Sequence, residues 1–491
     1  MNYVKTIWAL LPPVIAIIFA LKTKEVYISL LIGIVSGTLL LTNFHLVESL
    51  NLLFDTVVNC LSKPSNIGIL IFLVMLGIIV TLMTKSGGSQ AYGKWAKKKM
   101  KSSKQSLFST FILGVVIFVD DYFNCLTVGS VMREITDEFK VSRAMLAYII
   151  DSTAAPVCII APISSWAAAV SGYTSGDGFQ LFLNTIPFNL YALLTIVMVC
   201  YVIGSEFHFG KMKKHELAAQ NGDVCFGDDS YQTNEEISYN QKGKVLDLIL
   251  PVIVLIMSCI IGMIYTGGFF DGKDLITAFS QCDASRGLVY GTFVTLIFVF
   301  ILYIPRKIIS YNEGFKAMVP SILILVLAWS LGDLVSNQLQ AGAFVYNMLQ
   351  SASISTAILP ACLFIVGAGL SFSTGTSWGT FGILIPMATS LFPEGSTMLV
   401  ISIASILAGA VCGDHISPIS DTTIMASTGA KCNHLYHVTT QIPYALVVAS
   451  ACFIGYLVAG FTQNVLLTLF VAFVSLSIII FVIRLYQKKS S

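Results

Sequence analysis

Charged residues are scarce in this sequence, making up 11% of its 491 positions. An ordinary globular protein carries about 25%, so a soluble fold is excluded. Hydrophobic residues make up 56% of the chain, and apolar runs of about 17 to 25 residues, long enough to cross a bilayer, recur from one end to the other. The composition therefore predicts an all-α polytopic membrane protein whose main partner is the lipid bilayer.

Motifs for metal binding, redox chemistry and catalysis are also missing. The 11 cysteines include no CxxC pair and mostly lie in apolar runs, where they act as small hydrophobic residues. His434 and His437 are too few for a zinc site, which needs more ligands at defined spacing. A nucleophile such as Cys158 or Ser165 beside Asp151 would need a histidine base on a neighbouring span, and the sequence indicates no such pairing. We therefore expect neither an enzyme nor a resident cofactor.

Two short segments of the chain occur twice. The segment APISSWAAAV at 161–170 resembles SPISDTTIMA at 417–426, and LPPVIAI at 11–17 resembles LPVIVLI at 250–256. Each pair lies in strongly apolar sequence and carries helix-breaking residues at matching places. Interrupted hydrophobic segments in corresponding positions of two halves indicate the binding site of a secondary transporter.

Hydropathy divides the chain into spans, two interrupted segments and a polar linker. Spans are predicted at 7–21, 26–42, 67–84, 144–171, 185–204, 246–266, 286–304, 318–336, 397–430, 437–460 and 465–485. Residues 105–130 and 354–392 are apolar but broken in the middle, which predicts re-entrant hairpins. The predicted domains are a first transmembrane repeat at 1–204, a cytoplasmic linker at 205–245, a second, inverted repeat at 246–461, and an extra C-terminal span and tail at 462–491. The linker has no periodicity, so we interpret it as a tether, with regulation as the alternative.

The basic residues indicate how the spans cross the membrane. If both hairpins enter and leave on one side and the N-terminus is outside, 24 of the 28 lysines and arginines fall inside. This asymmetry follows the positive-inside rule and places the C-terminus in the cytoplasm. Each half then has five spans and one hairpin, and because five is odd the second half must be inverted. The scattered basic residues and the net charge of +2 exclude a nucleic-acid partner.

Six acidic residues lie within the predicted membrane segments: Asp120, Asp121, Asp151, Asp333, Asp414 and Asp421. An aspartate near the bilayer centre opposes insertion by about 2.5 to 3.5 kcal/mol. No lysine or arginine is predicted at comparable depth, so ion pairing does not explain the six acids. They must be protonated, hydrogen-bonded or holding a cation. For any one of them alone, a protonated aspartate hydrogen-bonded between helices is the alternative.

The first hairpin is expected to direct one carboxylate toward the binding site. Asp120 and Asp121 are neighbours, and adjacent residues on a helix point about 100° apart, so only an unwound tip would aim both inward. Asn124 and Thr127 share a helix face with Asp120. The sequence leaves open which of the two aspartates contacts the ion directly.

The second hairpin and the two proline-broken spans add oxygen atoms. In SFSTGTSWGTFG the glycines permit a broken helix, and the hydroxyls can coordinate a hard cation; close packing of small residues is the alternative. Aligning Pro162 with Pro418 places Ser165 opposite Asp421, so one half supplies acids where the other supplies small polar groups. The candidate ligands in these segments are Ser164, Ser165, Thr374, Thr376, Ser377, Asp414, Ser417, Ser420, Asp421 and Thr422.

Asp151, Asp333 and His415 are candidates for a proton path. His415 stands beside Asp414, and a histidine titrates closer to neutral pH than any other side chain. Asp333 lies on a span without a proline break, so a hydrogen bond to a neighbouring span is an equal alternative.

Three motifs resemble those of the NhaC-type sodium/proton antiporter family of bacterial inner membranes. They are DDYFNCLTVG at 120–129, GTSWGTFGILIPMA at 375–388 and GDHISPISDTT at 413–423, and the similarity extends over essentially the whole chain. The resemblance implies exchange of sodium for protons, a fold with inverted repeats and two re-entrant hairpins, and a location in the bacterial inner (plasma) membrane. Related folds are often dimers, so a homodimer is an expectation.

We expect sodium and protons to compete for the same carboxylates, with sodium at Asp121, Asp414 and Asp421. Desolvation and like-charged neighbours favour protonation of a buried aspartate, so the cluster holds protons until sodium displaces them. Relatives in the family resemble malate/lactate exchangers and other sodium-linked carriers. The missing intramembrane lysine or arginine favours an inorganic cation, but helix N-termini can bind a carboxylate without such help. A sodium- or proton-coupled carrier of an organic or amino acid is therefore the alternative.

Overall fold

A computed structural model of the chain describes residues 3–490 except 24, 119–120, 162–165, 167–169, 171–177, 229–239, 307, 309–311 and 352–354. The described residues form helices joined by short loops and turns, with no β-strand among them. This confirms the all-α class that the composition predicts.

Most of the predicted spans correspond to one or two helices. In the first part of the chain the α-helices are α1 (Leu11–Thr23), α2 (Val26–Leu41), α3 (Leu46–Leu61), α4 (Pro64–Lys85), α5 (Gly88–Lys99), α6 (Ser103–Val116), α7 (Asp121–Glu138), α8 (Arg143–Cys158), α9 (Gly178–Thr185), α10 (Leu190–Ser205) and α11 (Gly210–Gln220). In the second part they are α12 (Leu246–Thr266), α13 (Leu275–Ser280), α14 (Ala284–Tyr303), α15 (Asn312–Asp333), α16 (Ala341–Ser351), α17 (Leu359–Thr374), α18 (Ser377–Leu391), α19 (Thr397–Ile416), α20 (Asp421–Ala430), α21 (His434–Thr462) and α22 (Val465–Ser490).

Seven helices in the described part of the chain are long and apolar enough to cross a membrane. They are Pro64–Lys85, Leu190–Gln220 (a segment that joins α10 and the linker helix α11), Leu246–Thr266, Ser285–Arg306, Thr397–Ile416, His434–Thr462 and Val465–Lys488. The last helix, α22, exposes large apolar side chains such as Leu466 and Phe470, as expected for a helix that faces lipid. The chain is therefore a multi-pass membrane protein.

Both interrupted segments fold as two helices separated by a short break. α6 ends at Val116 and α7 begins at Asp121. α17 ends at Thr374 and α18 begins at Ser377. The two helices of each pair contact one another. The described residues between the helices, 117–118 and 375–376, are not helical, at the two places where the sequence predicts a break.

The span that contains Pro418 is also divided. α19 ends at Ile416 and α20 begins at Asp421, and proline cannot supply the N–H that a continuous helix needs. α17 packs closely against α19. The short distance is evident at Gly409, where a Cβ atom would lie only 2.2 Å from the Phe364 carbonyl oxygen. This contact brings the tip of the second hairpin beside the break.

α7 and α20 cross at similarly short range. A Cβ atom at Gly129 would lie 2.3 Å from the carbonyl carbon of Gly429, and one at Gly429 would lie 2.4 Å from the Cys125 carbonyl oxygen. Backbones approach this closely where small residues face each other. The start of α7 is thereby held near the break between α19 and α20.

Two helices lie where the sequence predicts a loop and an irregular linker. α3 follows the second predicted span, and Glu48 and Asp55 lower its apolar character. α11 lies in the linker, where Glu216 is buried and accepts hydrogen bonds from the Ser142 N–H at 3.0 Å and the Ser142 hydroxyl at 2.6 Å. The described part of the linker is therefore docked on the start of α8. Its contacts join residues far apart in sequence, which local periodicity does not reveal.

Candidate functional site

Three helix beginnings meet at one place. α7 begins at Asp121, α18 at Ser377 and α20 at Asp421, and these three residues are buried. The first turn of an α-helix has unpaired backbone N–H groups and carries the positive end of the helix dipole. These helix ends therefore stabilise the carboxylates of Asp121 and Asp421 away from water.

Asp414 lies in the last turn of α19 and is 1% exposed. Its Oδ2 atom accepts hydrogen bonds from the Ser377 hydroxyl at 3.0 Å and the Thr422 hydroxyl at 3.3 Å. Its Oδ1 atom is buried and has no hydrogen-bond donor among the described residues. Because the C-terminal end of a helix carries partial negative charge, this position favours a cation beside the carboxylate.

Asp421 is held from two sides. The Tyr122 hydroxyl donates to its Oδ2 atom at 2.6 Å, and the Thr422 N–H donates to its Oδ1 atom at 2.8 Å. Ser420 caps α20 by accepting a hydrogen bond from the Thr423 N–H at 3.2 Å. The Ser420 hydroxyl also lies 3.1 Å from Thr422 Oγ1. A connected set of hydroxyls therefore lies between the two carboxylates of the α19–α20 break.

The tip of the second hairpin completes this cluster. Gly375 has a φ of 69°, and its carbonyl accepts a hydrogen bond from the Asp421 N–H at 3.4 Å. A Cβ atom here would lie 2.3 Å from the Ile419 carbonyl oxygen, so only glycine fits without strain. The Ser417 hydroxyl donates to the Phe372 carbonyl at 2.8 Å. The hairpin tip and the helix break are therefore joined by direct hydrogen bonds.

Tyr122 brings the first hairpin into the same cluster. Its hydroxyl lies within electrostatic range of the carboxylates of Asp121, Asp414 and Asp421. The indole of Trp329, on α15, is a further neighbour of Asp421. The structure thus brings three of the predicted acids into one buried region around Tyr122.

Other predicted ligands bond to nearby backbone. The Asn124 amide donates to the carbonyls of Gly114 at 2.6 Å and Ile117 at 2.8 Å, which lie at the end of α6. The Thr374 hydroxyl donates to the Leu370 carbonyl at 2.9 Å. The remaining candidates in the described hairpin residues are Thr127, which is buried, and Thr376, which is partly buried.

Three predicted site residues, Asp120, Ser164 and Ser165, lie outside the described residues. Asp333 is described but does not belong to the cluster. Asp333 forms an ion pair, with its Oδ1 atom 2.5 Å from Lys63 Nζ. The expectation that no lysine or arginine pairs with a membrane acid is therefore wrong for Asp333, because Lys63 stands just before α4 and its long side chain reaches the carboxylate.

Another buried acid, Asp151, lies on α8. Its Oδ2 atom accepts a hydrogen bond from Gln441 Nε2 at 2.6 Å and lies 3.2 Å from His437 Nε2. His415 Nε2 is 3.9 Å from the Asp151 Oδ1 atom. Two of the three predicted proton-path residues therefore lie side by side.

The donor set around Asp414 suits a hard cation, which prefers oxygen ligands. Among the described residues, no three Asp, Glu, His or Cys side chains lie close enough to hold one metal ion together. The expected sodium ligands Asp121, Asp414 and Asp421 thus do not form a ring of three carboxylates in this conformation. The oxygens next to Asp414 are instead the hydroxyls of Ser377 and Thr422.

Three residues of these two clusters were not predicted from the sequence: Tyr122, His437 and Gln441. Tyr122 stands inside the DDYFN motif, but a tyrosine in an apolar run is ordinarily a packing residue. His437 and Gln441 are four residues apart on α21, a spacing that places both on one helix face. A polar pair at this spacing in an apolar helix is the signal that would have found them.

The sequence matches the model of the Na+/H+ antiporter family over residues 147–461. The matched region contains Asp151, the second hairpin, and the break with Asp414 and Asp421. Tyr122 and Asp121 lie before it.

Individual proteins give further similarity. The chain is 39% identical to an uncharacterized protein of Haemophilus influenzae, over 98% of this chain and 96% of that protein. It is 29% identical to the malate-2H(+)/Na(+)-lactate antiporter of Bacillus subtilis over 35% of this chain and 42% of that protein. It is 26% identical to an uncharacterized Na(+)/H(+) antiporter of Haemophilus influenzae over 30% and 32% of the two chains. The solved structure of Neisseria gonorrhoeae MtrF superposes with a TM-score of only 0.32, at 16% identity over 86% of each chain.

Proposed function

Because this chain belongs to the Na+/H+ antiporter family, we propose that it exchanges sodium ions for protons across the bacterial inner membrane. Family membership supports a secondary transporter. The environment of Asp414 supports sodium and protons as the two exchanged ions.

The Asp414 carboxylate is buried without a positive partner. Two hydroxyls donate to one of its oxygens, and no lysine or arginine pairs with it in the described part of the chain. An uncompensated buried charge costs several kcal/mol, so this carboxylate is stable only when a proton or a cation is bound. The two ions therefore compete for one position.

The neighbouring groups support this competition. In the sodium-loaded state, Asp414 and the hydroxyls of Ser377 and Thr422 supply oxygen ligands. In the proton-loaded state, the proton on Asp414 neutralises the charge. Asp421 stays bonded to the Tyr122 hydroxyl and the start of α20 in both states, so that the site keeps its shape while the ion changes.

Alternating access requires that the parts of this site move relative to the lipid-facing helices. The site combines α7, from the predicted first repeat, with α18, α19 and α20, from the predicted second repeat. A relative movement of two inverted repeats would open such a site to each side in turn. The basic residues support an N-terminus outside and a C-terminus in the cytoplasm.

A carrier of organic acids is the second candidate. The relative from Bacillus subtilis is a malate/lactate antiporter by its description, and three helix N-termini converge at this site. Such helix ends bind carboxylates through backbone N–H groups. Both the helix ends and the hydroxyls would then contact the organic acid, and sodium or protons would drive it.

Everted membrane vesicles separate the two candidates. The vesicles are acidified inside by respiration, and the pH gradient is followed with a quenched fluorescent amine. Sodium/proton exchange predicts recovery of fluorescence when sodium chloride alone is added. Potassium chloride at the same concentration is the control for ionic strength.

The organic-acid carrier predicts a different response. Sodium chloride alone would leave the fluorescence quenched, and recovery would need malate, lactate or another carboxylate inside or outside the vesicles. Recovery with sodium alone, absent from vesicles without the protein, supports exchange. No recovery with any inorganic cation would overturn it.

A further inference from the structure

The pair of Asp151 and His437 lies at the meeting of α8 and α21, beside the end of α19. Asp151 and His437 are both fully buried, and His415 and Gln441 are each 1% exposed. The four residues come from three helices: Asp151 from α8, His415 from α19, and His437 and Gln441 from α21. This group, called here the Asp151 cluster, is separate from the oxygen atoms that surround Asp414.

The Asp151 cluster contains polar atoms that the protein leaves without partners. Among the described residues, Asp151 Oδ1, His415 Nε2, His437 Nδ1 and Gln441 Oε1 are buried and make no hydrogen bond. An unsatisfied buried polar group costs about 1 to 3 kcal/mol. Two of these atoms, Asp151 Oδ1 and His415 Nε2, lie 3.9 Å apart, so the carboxylate and the imidazoles are placed where they could share a proton.

The charges around the cluster restrict which species it can bind. The ionisable groups near the pair are Asp414 and His415 on α19, Tyr191 on α10 and His434 on α21. No lysine or arginine pairs with Asp151 in the described part of the chain. A proton shared between Asp151 and His437 would satisfy the charge, and imidazole nitrogens are poor ligands for sodium compared with oxygen.

Gln441 connects this cluster to the ion site. Its Nε2 atom donates to Asp151 Oδ2 at 2.6 Å and to the His415 carbonyl at 2.8 Å. The residue before His415 is Asp414, whose carboxylate is also within electrostatic range of Asp151. A change of charge at either carboxylate therefore alters the proton affinity of the other, both through space and through the hydrogen bonds of this amide.

We propose that Asp151 and His437 form a second, proton-carrying site, and that Gln441 couples it to sodium binding at Asp414. This inference rests on the proposed sodium/proton exchange and adds where one of the protons resides. Sodium takes the place of the proton on Asp414 and, through Gln441, lowers the affinity of the pair for its own proton, so that two protons leave for each sodium bound. When sodium leaves, the pair takes a proton up again.

Proton release on sodium binding tests the proposal directly. Purified full-length protein in detergent and weak buffer is titrated with sodium chloride while a pH indicator reports the protons released, with choline chloride as the blank. If one proton leaves Asp414 and a second leaves the pair for each sodium bound, the apparent sodium Kd changes about a hundredfold per pH unit. In Asp151→Asn and His437→Gln, we expect release to fall to one proton per sodium and the dependence to fall to about tenfold per unit.

Two further variants make the result specific. Gln441→Leu removes the connecting amide and should flatten the pH dependence while sodium still binds at alkaline pH. His434→Gln is the matched control on the same helix, because His434 already bonds Ser427 Oγ at 3.2 Å and the Pro418 carbonyl at 2.8 Å through its two ring nitrogens. We expect His434→Gln to lower the melting temperature and to keep the steep pH dependence.

The outcomes separate this inference from the proposed function. Unchanged proton release and an unchanged slope in folded Asp151→Asn or His437→Gln overturn the second site and leave sodium/proton exchange standing. Parent protein that binds no sodium, or releases no proton when it does, overturns the proposed function itself. Should Asp151→Asn fail to fold, His437→Gln decides, since its side chain retains a hydrogen-bonding amide.

Discussion

At the scale of single residues, Asp414 is the position on which exchange depends most. Replacing it in Asp414→Asn keeps the size and the hydrogen bonds but removes the charge for which sodium and protons compete. We expect sodium-dependent recovery of vesicle fluorescence to fall to background while the amount of protein in the membrane stays unchanged. Asp271→Asn is the control, because Asp271 is exposed at the end of a short 3₁₀ helix. Full exchange by Asp414→Asn would remove this residue from the site.

Ser377 provides a milder test of the same site. Its hydroxyl donates to Asp414 and to the Ala410 carbonyl, and Ser377→Ala removes one oxygen from the proposed sodium ligands. A single neutral hydrogen-bonding group contributes about 1 kcal/mol, so the sodium concentration for half-maximal exchange should rise about five- to tenfold. The maximal rate should change little. A lower maximal rate with unchanged sodium dependence would assign Ser377 to conformational change instead.

Sequence reasoning at this scale identified the acids better than their partners. Asp121, Asp414 and Asp421 stand out because an acid in apolar sequence is costly, and the structure brings them into one region. Tyr122, His437 and Gln441 are ordinary residues for a helix, and only their positions relative to distant carboxylates make them notable. Asp333 also stands out as an acid in apolar sequence, but its ion pair with Lys63 could not be predicted, because the two residues are distant in sequence.

At the scale of helices, the two hairpin breaks and the break at Pro418 have clear signals. Glycine and proline interrupt helices for local reasons, so these three places follow from the sequence alone. The docking of the second hairpin on the α19–α20 break does not follow from the sequence, because it depends on contacts such as that between Gly375 and Asp421. α11 was missed for the same reason, as its burial is tertiary.

Gly375 gives the test at this scale. Gly375→Ala forces a side chain into a left-handed backbone conformation, which costs about 1 to 2 kcal/mol, and places its Cβ atom against the Ile419 carbonyl. We expect a lower melting temperature and weaker sodium binding, because the hairpin tip shifts away from Asp421. Gly369→Ala is the matched control in the preceding helix, since a Cβ atom there meets nothing within 4 Å. Equal behaviour of the two variants would contradict the role of the tip.

At the scale of the whole molecule, the linker is more than a flexible connection. Its described residues contact α8 through Ser142 and α21 through Tyr444, whose hydroxyl accepts a hydrogen bond from the Phe209 N–H at 3.2 Å. These two helices carry Asp151 and His437. The linker therefore holds together the two predicted halves at the helices that form the Asp151 cluster.

Glu216 is the residue through which this contact is tested. Glu216→Ala leaves the Ser142 hydroxyl and N–H without their acceptor at the beginning of α8, which should lower the free energy of unfolding by about 1 to 3 kcal/mol. Glu206→Ala is the control on the same linker, because Glu206 makes exposed contacts, an ion pair with Lys104 at 3.6 Å and a hydrogen bond from the Ser103 hydroxyl at 3.1 Å. The loss of an exposed ion pair should cost less than about 1 kcal/mol. Thermal unfolding of the purified variants, followed by tryptophan fluorescence, measures the difference. If both variants melt like the parent, the docked linker contributes nothing to holding α8 and α21 together, and it serves only as a tether.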